Sequence, residues 1–208
     1  MTITNGYCTL ADVKHPNRLN INDSDSSTDA MLEGIIEAVS RRIDDECHRR
    51  FYADSSATNR YYTAAESNYL FVDDIASPSS DVTIYTDTNG DGTFDDTWTA
   101  SDFVLEPYNA ETDGVPYQKI EISLSGSYLF PKRVPKGVKI NSKFGWPTAP
   151  PKPIVQACSL QTERLYKRFA TPLGSESMSA LGRMTLSIPK LDPDVELLIS
   201  RYIKPVFG

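Results

Sequence analysis

The stretch DTNGDGTFDD at 87–96 carries the densest array of oxygen ligands in the chain. Asp87, Asn89, Asp91 and Gly92 fall at the first, third, fifth and sixth positions of a helix–loop–helix calcium loop, where alternate side chains turn inward around a glycine bend. The twelfth position, which should supply a bidentate Glu, is Trp98. The flanks VTIYT and TWT are β-branched and aromatic, as in strands. Asn-Gly and Asp-Gly also supply the residues that a hairpin turn needs at positive φ. The spelling therefore favours a β-hairpin over an occupied calcium site. Asp87, Asn89 and Asp91 stay the weak metal candidates, and no cofactor is expected.

Little else advertises catalysis. The two histidines, His15 and His48, have no second His or Cys at ligand spacing. No short motif of a zinc protease, a serine hydrolase elbow or a nucleotide-binding glycine loop is present, so no catalytic residue is assigned. Cys8, Cys47 and Cys158 are odd in number and far apart, which argues for reduced thiols and against a disulfide framework or zinc. Cys47 and Cys158 fall on apolar helical stripes and read as small core residues.

Two charged stretches could meet a partner. RRIDDECHRR at 41–50 sets Arg42 opposite Asp45 and Glu46, and Asp45 opposite Arg49, at three- and four-residue helical spacing. That reads as a self-compensated face rather than a nucleic-acid reader. Arg164, Lys167 and Arg168, with Glu163, give a basic face near the end of a later helix. Dipole complementation and contact with an acidic partner or DNA both explain it. Tyr61, Tyr62, Tyr69 and Tyr85 invite a sugar-binding reading, but strand aromatics are more often packing residues.

The elements that hold these residues follow from periodicity. TLAD at 9–12 has the form of a capping box opening a short helix, stopped by HPN at 15–17. Leu32, Ile35, Ile36, Val39, Ile43 and Cys47 make one stripe of a helix from about 28 to 50, with Ser27 or Thr28 as N-cap and Phe51 closing the stripe. From 58 to 146 the period drops to two: NRYYT, YLFV, VTIYT, FDDTWT, DFVLEP, YQKIEISL and VKINSKF are seven candidate strands. Ile120, Ile122 and Leu124 should share one face with Val138 and Ile140. FGWP at 144–147 ends the last strand, with Phe and Trp as core anchors and Gly for close backbone approach. A helix over about 154–169 should bury Val155, Cys158, Thr162, Leu165 and Phe169. A long Gly-, Ser- and Met-containing loop covers 171–190, and Asp192-Pro193 starts a last helix.

The expected class is α+β: a small helical bundle over 1–57 and 147–208, with an antiparallel β barrel or sandwich inserted over 58–146. The chain has 208 residues and a formal net charge of −7, which opposes a broad grip on nucleic acid but suits a wall past which DNA slides. Neither a signal peptide nor an apolar run of membrane-spanning length is apparent, and no membrane partner is expected.

In order along the chain come YCTLADVK, LEGIIEAVSRRIDDECHRRFY, RYY, VDDI, a strand–NGDGT–strand hairpin, PYQKIEI, VKINSKFGWPTAPPKPIVQA, RLYKRFATPLG and DVELLISRYIKPVFG. This series resembles the head-to-tail connector (adaptor, or head-completion) proteins of long-tailed bacteriophages, over nearly the whole chain. Its most telling parts are the CTLADV start, the long helix ending in RRFY and the FGWP linker into helix. The resemblance implies a structural virion protein rather than an enzyme. It implies subunits in a ring, commonly twelvefold in the family, in the neck of a virion assembled in the host cytoplasm. The ring would sit beneath the portal protein, with a tail-side connector or tail-completion protein below and viral DNA passing through without sequence recognition. Met178, Leu181, Met184, Leu186 and Ile188 are too apolar for a passive linker and join Arg164, Lys167 and Arg168 as candidate partner contacts. The alternative is a calcium- or carbohydrate-binding β module with helical extensions.

Overall fold

A computed structural model describes residues 3–170 and 191–205. The chain divides into two compact units, Met1–Arg49 with Pro150–Gly208, and Arg50–Ala149.

The first unit is helical. Thr9 caps α1 (Leu10–Lys14) by the full reciprocal box, its hydroxyl taking the Asp12 N–H while the Asp12 carboxylate takes the Thr9 N–H at 2.8 Å. The long helix α2 (Asp29–Cys47) buries Leu32, Ile35, Ile36, Val39, Ile43 and Cys47, the stripe expected from the three- and four-residue steps. Its ends differ from expectation. Thr28 stands at the N-cap without a side-chain capping bond, and Asp29 in the first turn pairs with Lys14 instead. The helix stops at Cys47 because His48 turns left-handed at φ 52°. Helix α4 (Lys152–Ala170) packs against both α2 and α5 (Pro193–Ile199). Its buried face is Ile154, Ala157, Cys158, Gln161 and Thr162, while Val155 and Leu165 are only half-buried. Cys158 and Thr162 are buried as expected, but Ile154, Ala157 and Gln161 take inner positions in place of Val155 and Leu165, which shifts the phase assigned from sequence. The Phe169 side chain lies outside what is described. Asp192 caps α5 by accepting from the Asp194 N–H at 2.8 Å, with Pro193 at the first turn.

The second unit is antiparallel β. All seven strands form: β1 (Thr58–Tyr62), β2 (Tyr69–Ile75), β3 (Thr83–Thr86), β4 (Asp96–Trp98), β5 (Phe103–Glu106), β6 (Tyr117–Ile122) and β7 (Val138–Ser142), with a short α3 (Ala110–Asp113) between β5 and β6. They build two sheets, β1-β7-β3-β4 and β2-β6-β5. This is not a closed barrel: each sheet keeps two edge strands. Their inward positions share one core, including Leu70, Val72, Ile84, Trp98, Phe103, Leu105, Ile120, Val138 and Ile140. Trp98 stacks on Phe130 at 4.7 Å and Tyr128 at 5.6 Å between ring centroids. Leu124 departs from expectation. Strand β6 ends at Ile122, and Leu124 stands fully exposed in the turn beyond it.

Residues 51–54 pair with 144–146 inside this unit. Asp54 N–H donates to the Phe144 carbonyl at 2.8 Å, and Trp146 N–H to the Tyr52 carbonyl at 3.2 Å. Phe51, expected to close the α2 stripe, packs on Trp146 at 5.3 Å. Gly145 has φ 116°, and a Cβ there would lie 2.0 Å from the Tyr52 carbonyl oxygen. Only glycine satisfies both demands.

Candidate functional site

The loop at 87–96 is the turn of the β3–β4 hairpin, in which Ile84 pairs with Trp98, Tyr85 with Thr97 and Thr86 with Asp96. Strand β3 ends at Thr86, just before the first position of a twelve-residue calcium loop, and β4 (Asp96–Trp98) takes up its last three positions. Asp87 is buried, and its two carboxylate oxygens accept from the Gly90 N–H at 2.7 Å and the Gly92 N–H at 2.8 Å. Asn89 Oδ1 accepts from the Asp91 N–H at 2.9 Å, and Asp91 Oδ1 from the Thr93 N–H at 2.7 Å. The same Thr93 N–H holds the Asp91 carboxyl below the usual carboxylate range. Both Asp87 oxygens, Asn89 Oδ1 and Asp91 Oδ1 thus accept from the loop's own backbone, around Gly90 and Gly92 at φ 79° and 88°, and Asp91 Oδ2 accepts from the Asn89 side-chain amide at 3.1 Å. Trp98, in place of the bidentate Glu, is a core residue whose indole Nε1 donates to Thr86 Oγ1 at 3.0 Å. Among the described residues no group of three or more His, Cys, Asp or Glu is placed to hold a metal.

The charged helix faces are paired. On α2, Arg42 meets Glu46, while Arg41 Nε reaches Asp44 at 2.9 Å. Asp44 also accepts from the Tyr7 hydroxyl, so this face anchors the segment ahead of α1. On α4, Arg164 pairs with the buried carboxylate of Asp192, and Lys167 Nζ with Glu163 at 2.6 Å. Glu163 lies 3.8 Å from Arg18 as well. Arg168 is exposed. The basic face seen in sequence is therefore tied to α5 and to the α1–α2 loop at Arg164 and Glu163. Periodicity on a single helix does not reveal either partner.

The four tyrosines do not share a platform. Tyr61 and Tyr85 flank Lys139 in one row across β1, β7 and β3, and Lys139 Nζ lies 4.1 Å from the Tyr85 ring and 4.5 Å from Phe94. Tyr62 packs against the core and donates to Asp73 at 3.1 Å. Tyr69 is on the other sheet, edge-on to Phe71 at 5.6 Å.

Two features were not read from sequence. One is an open groove of about 310 Å³ in the helical unit, lined by Ala38, Val39, Arg42, Gln161, Leu165 and Leu191. The other is a buried cluster in which Cys8 Sγ lies 3.3 Å from Cys158 Sγ, with Ser40 Oγ 3.5 Å from Cys158. Neither has a sequence signature, since each draws on segments more than 100 residues apart. Met178, Leu181, Met184, Leu186 and Ile188 lie outside the described residues. Among those described, no helix is long and apolar enough to cross a membrane.

An α+β chain with a helical unit interrupted by two antiparallel sheets is a fold seen before. No known family matches the sequence, and no curated protein does. Solved chains match its structure, and three of them are from GTA particles. One is in the neck of an empty GTA particle computed with C6 symmetry, at TM-score 0.56 and 17% identity, over 100% of this chain and 95% of that one. A second is in the virion of a native gene transfer agent (GTA) particle, at TM-score 0.53 and 16% identity, with the same coverage. A third is in the neck of a native GTA particle computed with C12 symmetry, at TM-score 0.53 and 15% identity, again over 100% and 95%. The chain is similar in fold to these over its full described length.

Proposed function

We propose that this chain is a structural neck component of a tailed phage-like particle, a ring adaptor that joins portal to tail, completes the head and leaves a channel for DNA. The observation that carries this reading is the full-length fold likeness to chains in GTA necks. The ordered resemblance of CTLADV, RRFY and FGWP to connector proteins points the same way. A formal net charge of −7 suits a channel wall, since like charge keeps phosphates from sticking. The partners on this reading are copies of the chain, the portal protein, and a tail-side connector or tail-completion protein. Met178, Leu181, Met184, Leu186 and Ile188 serve as partner contacts on the strength of their apolar character in a Gly- and Ser-containing stretch, together with exposed Arg168.

Co-expression with the portal protein tests this. The chain should co-purify with portal rings, and serine at both Leu186 and Ile188 should weaken that association at least tenfold while leaving the melting temperature unchanged. Failure of the wild-type chain to associate with portal rings contradicts the adaptor role. Equal association of the doubly substituted chain contradicts only the assignment of the contact residues.

A further inference from the structure

Cys8 and Cys158 are separated by 150 residues, yet their sulfurs stand 3.3 Å apart in the helical unit. Both are buried, Cys8 at 4% and Cys158 at 0% exposure. The Cys8 thiol donates to Cys158 Sγ, and Ser40 Oγ lies 3.5 Å from the same sulfur. Ser40 also accepts from the Tyr7 N–H at 3.0 Å and donates to the Ile36 carbonyl at 2.7 Å, which holds the backbone next to Cys8 in place. A disulfide requires the sulfurs to close to roughly 2.05 Å, about 1.3 Å nearer than they stand.

We propose that Cys8 and Cys158 close into an intramolecular disulfide when the chain meets a peroxide, stapling the segment ahead of α1 to α4. Cys158 is the attacking sulfur: the Cys8 hydrogen bond favours its thiolate, whereas the same bond, with burial, holds the proton on Cys8. The Cys158 thiolate attacks one peroxide oxygen and the O–O bond breaks. The departing hydroxide takes up the proton that Cys158 released and leaves as water. The Cys8 sulfur then attacks the sulfenic sulfur, the S–O bond breaks, and hydroxide leaves with the Cys8 proton as a second water. Two thiols and one peroxide become one disulfide and two waters. Access comes from opening of α1, which is only five residues long. Cys47 has no sulfur partner among the described residues, and burial pushes its thiol up to about 12, so it stays protonated and unreactive.

The test is peroxide treatment of the full chain, followed by thiol counting under denaturing conditions. The three thiols should fall to one, with the peptides of Cys8 and Cys158 joined in the map. The melting temperature should rise by about 5–10 °C and return on reduction. Cys47→Ser should leave this behaviour intact, and Cys8→Ser, or Cys8→Ala where the serine variant folds poorly, should abolish it. Survival of all three thiols, a bridge that engages Cys47 or a second chain, or sulfinic acid without a bridge overturns the proposal. On the neck reading, assembly in a reducing cytoplasm precedes oxidation. Thiol counting tests the staple alone, and portal association before and after peroxide tests its timing.

Discussion

At the residue scale, the loop at 87–96 shows how one spelling serves two structures. Asp87 and Asp91 sit where calcium ligands would sit, but their oxygens accept the N–H groups of Gly90, Gly92 and Thr93. The chain should therefore melt at the same temperature in millimolar calcium and in EDTA. Asp87→Ala should cost about 1–3 kcal/mol in both, since two backbone N–H groups lose their acceptor. A calcium-dependent rise of several degrees, lost in that variant, would contradict this. Gly145 is a second such site. At φ 116°, with the Tyr52 carbonyl in the space a Cβ would take, Gly145→Ala should lose more than about 1 kcal/mol in urea unfolding. A neutral substitution would mean that the backbone of 52 and 145 separates freely. The demand on Gly145 was legible from its place between Phe144 and Trp146, because a glycine between two core aromatics marks a close approach. Leu124 was misread because counting by twos ran past the end of β6 into the turn.

At the scale of elements, local pattern was a good guide to what forms and a poor one to what meets. The capping box at Thr9, the α2 stripe and the seven strands all have signals within ten or twenty residues. Sheet order does not: β7 lies between β1 and β3, a pairing across some 80 residues that no local period encodes. On the inner face of α4, Cys158 and Thr162 are buried as the stripe predicts, but hydrophobicity alone passes over Gln161, which is buried as well. Ile43 tests the α2 assignment directly. It is fully buried, and Ile43→Ala should cost about 2–5 kcal/mol in denaturant unfolding if α2 packs its stripe into a filled core. A loss below about 0.5 kcal/mol, the level of a surface change, would remove that stripe from the core.

At the scale of the whole molecule, the alternation of helical and β stretches was legible in sequence, while the chain passes between its two compact units at 49/50 and 149/150. The candidate site was less legible. The proposed ring contacts would join different copies, and a single chain carries no pattern that pairs one of its surfaces with another. What reaches that scale is the likeness of the whole fold to chains in GTA necks, together with an acidic net charge. Negative-stain imaging of the purified chain, alone and mixed with portal rings, tests the ring adaptor most directly. Class averages should show closed rings with rotational symmetry, coaxial with the portal when it is present, and with an open centre. A monodisperse monomer in both preparations, with portal rings unchanged, would contradict it.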